Sequence, residues 1–231
     1  MDKVLSHSAA MIREGSKSFS GASKLLDSSS KESAILLYSW CRYCDDQIDN
    51  QILGINQQSN EDNLDAVEIV KIMEKKTQDA INDIPSEAIE FEALRRVLQK
   101  HGIPQQYPLE HLQGFRMDAK KKQYHSITDT LEYCYHVAGV VGIMMAYIFG
   151  IRDSKIIERA ADLGIAFQLT NIARDVIEDA KMGRVYLPSE WLAEYDIKPG
   201  SILETNNRVK LFLVIKKLLD VSEQYYESAN I

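Results

Sequence analysis

The sequence predicts an all-α protein, on three observations. Apolar residues recur at spacings of three and four along almost the whole chain, the signature of amphipathic helices. No segment shows the sustained apolar–polar alternation of a half-buried strand. Of 231 residues only 11 are Gly and 5 are Pro, few for a turn-rich sheet protein, whereas the helix formers Leu, Ala, Glu and Lys abound. Helices are expected at about 3–14, 18–26, 30–49, 62–80, 86–101, 108–122, 128–149, 153–180, 188–194 and 206–228.

Each boundary has a local cause. The helix at 30–49 carries Leu36, Leu37, Trp40 and Tyr43 and stops at the turn-rich QILGINQQSNED, 51–62. Asp83-Ile84-Pro85 and then HGIPQQYP, 101–108, separate the next three helices, since Gly and Pro interrupt helical hydrogen bonding. Gly150 ends the apolar run VAGVVGIMMAYIFGI, 137–151. That run is short for a membrane span and holds three glycines, so a buried core helix is expected there. MGRVYLP, 182–188, and IKPGS, 197–201, make the last breaks. No long linker or repeat intervenes, and one domain over 1–231 is expected. VSEQYYESANI keeps helical character to the final residue, which suggests a C-terminally truncated chain.

Composition excludes several functions. The net charge is −7, and no broad basic face offers itself to nucleic acid; Lys120-Lys121-Lys122 reads as a solvated helix end. The N-terminus has no signal-peptide apolar core, so a cytoplasmic location is expected. Cys41, Cys44 and Cys134 are too few for a disulfide framework, and the CxxC string lies mid-helix with no second ligand pair. There is no GxGxxG or Walker loop, hence no expected nucleotide cofactor, and no GxSxG elbow.

Two acidic strings remain, Asp45-Asp46-Gln47-Ile48-Asp49 and Asp175-Val176-Ile177-Glu178-Asp179. At about 100° per residue, Tyr38, Arg42, Asp45 and Asp49 share an arc of roughly 60°, and Gln168, Asn171, Asp175, Glu178 and Asp179 one of roughly 100°. Either string alone is more often a solvated face. Two of them, each with an arginine on the stripe or just before it, suit a diphosphate bridged by Mg²⁺, a hard cation that takes a few carboxylates and completes its shell with water and phosphate oxygens. Charged stripes on otherwise apolar helices also need such compensation. Gly15-Ser16-Lys17-Ser18-Phe19 offers hydroxyls and an ammonium at a helix entry, an N-cap or an anion site.

Taken together, GSKSF, LYSWCRYCDDQID, FRMDAKKKQY, YCYHVAGVVG, FQLTNIARDVIEDA and GRVYLP resemble the squalene/phytoene synthase family. The resemblance runs from about Gly15 to the end of the chain. It implies the class I isoprenoid-synthase fold, all-α, with two aspartate-rich helices facing a central cavity. It implies that Asp45 and Asp49, with Asp46 beside them, hold Mg²⁺ (Mn²⁺ as substitute), and that Asn171, Asp175 and Asp179 hold it from the second motif. Ser16, Lys17, Ser18, Tyr38, Arg42, Gln168 and Arg174 would contact diphosphate or the prenyl head. Phe19 and Tyr133 would line the reaction centre, their ring faces stabilising a cation; Arg184 and Tyr186 would close over the site.

The implied reaction joins two geranylgeranyl diphosphates head to head. One diphosphate leaves, the second prenyl double bond attacks the allylic cation, and proton loss gives a cyclopropylcarbinyl diphosphate. A second ionisation, ring rearrangement and proton loss then yield phytoene, the first committed step of carotenoid synthesis. Lipid-like substrates imply peripheral membrane contact, and downstream carotenoid enzymes are implied partners. The alternatives are a squalene or dehydrosqualene synthase using farnesyl diphosphate, and a non-catalytic relative that keeps the helical shell.

Overall fold

The computed structural model describes residues 2–15, 21, 23–49, 51–52, 55–56 and 65–230. Among these the regular structure is helical, apart from a short antiparallel ladder that pairs Gln51 with Asn56 and Ile52 with Ile55. The chain forms two compact units, one of Met1–Lys120 with Met144–Arg152, the other of Lys121–Ile143 with Asp153–Ile231.

The first unit holds α1 (Lys3–Gly15), α2 (Ser28–Asp49), α3 (Ala66–Ile81), α4 (Ile89–His101) and α5 (Gln106–Ala119). Its centre is α2, packed mainly against α1 and α4. Leu37 and Trp40 of α2 are fully buried, as are Phe91 and Leu94 of α4 and Leu112 of α5. The start of α2 is set by Asp27, whose carboxylate accepts the N–H groups of Ser29 and Ser30 at 2.9 and 3.1 Å, satisfying donors that the first turn cannot. On α4, Glu92 accepts Nε–H of Arg95 and of Arg96 at 2.8 and 3.0 Å. The Arg95 hydrogen bond is the main reason the Glu92 carboxyl is held down to about 2.

The second unit contains α6 (Ile127–Cys134), a π-helical turn at Tyr135–Gly139, the start of α7 (Val140–Ile148), α8 (Ser154–Lys181), α9 (Ser189–Glu194) and α10 (Arg208–Ala229). The α8–α10 pair has the most extensive contact. It is stitched by Ser222, which donates to the Ala166 carbonyl at 3.0 Å, and by Thr170, within 3.2 Å of the Ser222 hydroxyl and 3.1 Å of the Tyr226 hydroxyl. Ser126 and Asp129 form a capping box at the start of α6. Asp153 caps α8, accepting from Lys155 and Ile156 at 2.9 and 3.3 Å.

Backbones approach closely where the π turn and α7 meet α8. A Cβ on Gly142 would stand 2.0 Å from the Ala160 carbonyl oxygen, and one on Gly164 would stand 2.3 Å from that of Ala138. Only glycine permits such a crossing.

Three expectations change in detail. The helix expected from Pro108 starts two residues earlier, at Gln106; Pro108 is still in the first turn, where its missing N–H costs nothing. The helix expected at 128–149 is continuous in course from Ile127 to Ile148 but passes through the π turn. Of the helix expected at 18–26, Ser23–Leu25 is a 3₁₀ turn, and residues 18–20 and 22 lie outside the described residues. Ile127–Ile148 is long and apolar enough to cross a membrane by length and composition. Its close contacts with α8 also fit a packed core helix.

Candidate active site

In the first unit the acidic stripe sits on the last turns of α2. Tyr38 is half-buried, one turn before Arg42. Arg42 lies among the C-terminal turns, with Nη1 3.3 Å from Asp45 Oδ2 and Nη2 2.8 Å from Asp46 Oδ1. The two aspartates differ in setting: the Asp45 carboxylate is 49% exposed, whereas that of Asp46 is 8% exposed. A buried carboxylate needs its cation, so Asp46 fixes Arg42 while Asp45 projects outward. Arg42 Nε is buried with no hydrogen-bond partner among the described residues, a donor that an anionic oxygen would satisfy. Asp49 ends α2, its side chain outside what is described. Ser16, Lys17, Ser18 and Phe19 also lie outside the described residues.

The second unit carries the other stripe on α8. Asn171 Nδ2 donates to Gln168 Oε1 at 3.4 Å. Arg174 holds Asp175 in a two-pronged bond, Nε to Oδ1 at 2.7 Å and Nη2 to Oδ2 at 2.5 Å. That hydrogen bond is the main reason the Arg174 guanidinium binds its proton even more tightly than usual. Past Lys181 the helix closes on Gly183, at φ 77°, and Arg184 N–H donates to the Asp179 carbonyl at 2.8 Å. This six-to-one closure, which wants glycine at its left-handed position, turns Arg184–Leu187 back along α8. Asp179, Arg184 and Tyr186 consequently line one small cleft with Ile172, Val176 and Ile202.

Tyr133 and Tyr186, 53 residues apart in sequence, are stacked with centroids 4.6 Å apart and planes 20° from parallel. Their hydroxyls are 3.2 Å apart. Tyr124 meets both rings, at 5.7 and 5.4 Å. All three are buried. The Tyr133 ring is thus held between two other aromatic rings of the same unit. Tyr124, the last residue of FRMDAKKKQY, was not singled out from sequence, and neither was Thr130, whose buried hydroxyl donates to the Tyr186 carbonyl at 2.8 Å. An aromatic at the end of a family motif is the signal that could have found Tyr124; Thr130 had none.

Among the described residues no cluster of three or more His, Cys, Asp or Glu side chains could by itself hold a metal ion. The donors present, half-exposed carboxylates next to guanidinium groups, nevertheless fit Mg²⁺ carried in with a polyphosphate, since that ion uses one or two carboxylates and fills its shell from the substrate.

One acid–arginine stripe in each unit, and in the second unit a buried tyrosine stack, fit an enzyme of the isoprenoid-synthase class. Residues 12–231 match the squalene/phytoene synthase family, and the chain belongs to that family. It is 46% identical over 221 residues to a 15-cis-phytoene synthase of Enterobacter agglomerans, covering 94% of this chain and 72% of that one. It is 44% identical over 228 residues to the 15-cis-phytoene synthase of Pantoea ananas, covering 98% and 73%. Among solved structures, a dehydrosqualene synthase in complex with ligand superposes with a TM-score of 0.84 at 30% identity, over 98% of this chain and 76% of that one.

Proposed function

We propose that the chain is a phytoene synthase, a prenyltransferase that condenses two geranylgeranyl diphosphates head to head, through prephytoene diphosphate, to 15-cis-phytoene. The observation that carries this reading is the 41–46% identity, over most of the chain, to several bacterial proteins named as phytoene synthases. In this reading both units serve one isoprenoid-synthase domain, and both aspartate motifs serve one reaction.

Asp45, Asp49, Asn171, Asp175 and Asp179 are the residues that would hold Mg²⁺, which supplies Lewis-acid neutralisation of the departing diphosphate. The rest is the work of side chains. Arg42, anchored on Asp46, offers its buried Nε–H to a diphosphate oxygen. Arg174 exchanges its carboxylate partner for phosphate, a trade between ligands of one geometry. Ser16, Lys17, Ser18, Tyr38 and Gln168 complete the polar end, and Arg184 closes over it. Tyr133, backed by Tyr186, lines the centre where the allylic cation forms, with Phe19 assigned to the same centre; aromatic rings stabilise cations where water is excluded.

One observation favours a second reading, a dehydrosqualene synthase acting on farnesyl diphosphate: the similarity to a solved enzyme of that name. Incubating the protein with Mg²⁺ and either diphosphate, while following pyrophosphate and the organic extract, separates the two. Phytoene from the twenty-carbon substrate, abolished by EDTA, is expected. A product from farnesyl diphosphate alone establishes the second reading, and no pyrophosphate from either substrate overturns both.

Peripheral membrane contact from the cytoplasmic side belongs to the same proposal, because tails and product are lipid-like. Substrate-loaded protein is expected to sediment with phospholipid vesicles. Protein that stays in the supernatant under those conditions refutes the contact.

A further inference from the structure

Thr130 is fully buried on α6, less than one turn before Tyr133. A threonine inside a helix commonly turns its hydroxyl back onto its own helix. Here the hydroxyl leaves the helix and donates to the Tyr186 carbonyl at 2.8 Å, across 56 residues of sequence. That carbonyl lies in Arg184–Tyr186, which has no helix or strand ladder to hold it. The segment is tied at one end by Arg184 N–H on the Asp179 carbonyl, at 2.8 Å. Past its other end, Ser189 and Glu190 N–H groups donate to the carbonyls of Tyr124 and His125 at 2.9 and 3.1 Å. Between these ties the Thr130 hydroxyl anchors the backbone of the residue whose ring stacks on Tyr133. Helix α6, which carries both Thr130 and Tyr133, is itself pinned by the Ser126–Asp129 capping box.

We propose that Thr130 is a positioning residue for the reaction centre: its hydroxyl fixes the Tyr186 backbone so that the Tyr186 ring backs Tyr133 and holds the phenol in one orientation. The inference rests on the prenyl-transfer reading above, in which Tyr133 lines the reaction centre. Tyr124 packs its ring on both, and its carbonyl holds Ser189 beyond the far end of the segment.

Thr130→Val keeps the shape and removes the hydroxyl; Thr130→Ser keeps the hydroxyl and removes a methyl. For Thr130→Val, kcat is expected to fall about 10- to 100-fold, the scale of a small misplacement at a reacting centre, with KM changed less than about twofold because the diphosphate contacts are elsewhere. Thr130→Ser should recover most of the loss. The tyrosine band of the near-ultraviolet circular dichroism should weaken in Thr130→Val and return in Thr130→Ser, with helicity unchanged in both. Wild-type kcat in Thr130→Val overturns the proposal, as does a serine variant as impaired as the valine one, or a lowered Tm with kcat intact. An unaltered near-ultraviolet spectrum in Thr130→Val overturns it whatever the wild-type activity, whereas a wild type that releases no pyrophosphate overturns the reaction reading instead.

Discussion

Asp175→Asn is expected to cut turnover by about 10²- to 10³-fold, the usual effect of removing one preorganised electrostatic group from a charge-developing step. The protein should remain folded. Asp175 is 37% exposed and Arg174 68% exposed, and a solvent-facing ion pair contributes about 0–1 kcal/mol to stability. The substitution therefore separates chemistry from folding: pyrophosphate release collapses while far-ultraviolet circular dichroism and Tm stay close to wild type. Excess Mg²⁺ should recover part of the loss if the carboxylate acts through the ion. Asp49→Asn is expected to behave alike. Turnover within threefold of wild type in both variants would sink the role given to the carboxylates.

Gly164→Ala should be, with Gly142→Ala, among the most damaging single-methyl changes in the second unit. The new Cβ would stand 2.3 Å from the Ala138 carbonyl oxygen, 2.7 Å from its carbon and 2.9 Å from Gly139 Cα. All three are backbone atoms, so no side chain can swing aside, and the helices must separate. Overpacking of this kind costs typically about 1–3 kcal/mol, and more when backbone has to move. The gain of about 1 kcal/mol from replacing a helical glycine by alanine does not offset that at such a distance. A net loss on the order of 2 kcal/mol is expected in urea denaturation. Gly200→Ala, where an added Cβ meets nothing within 4 Å, is the control and should change stability by less than about 0.5 kcal/mol. Equal stability of wild type and Gly164→Ala would mean that the crossing is looser than described.

Much of this was legible in sequence because it is local. The helices at Ser28–Asp49 and Ser154–Lys181 fall within about two residues of the periodicity-based bounds. Local pattern also put Arg42 on the face of Asp45. Three features were not legible. Adjacent helical residues do not face each other, so nothing in the Arg174-Asp175 pair announced its two-pronged bond; the long guanidinium reaches back to make it. The tyrosine stack joins residues from three separate segments, and no periodicity describes that. Tyr135–Gly139 reads as ordinary helix, since a π turn differs from its neighbours in hydrogen bonding and not in composition.

That turn has a consequence for how the site is kept aligned. Nine residues along an unbroken α-helix, Tyr133 and Gly142 would point roughly 180° apart. The wider π turn takes up part of that rotation, and the ring stacked on Tyr186 and the glycine pressed on α8 both find partners in the same unit. The turn works as a fixed coupling between two shafts: phase is stored in the number of residues, not in any one side chain. Substitutions at Val137 or Ala138 leave that phase alone, whereas gain or loss of one residue between Tyr133 and Val140 would turn the phenol off its seat while the glycine crossing stayed put.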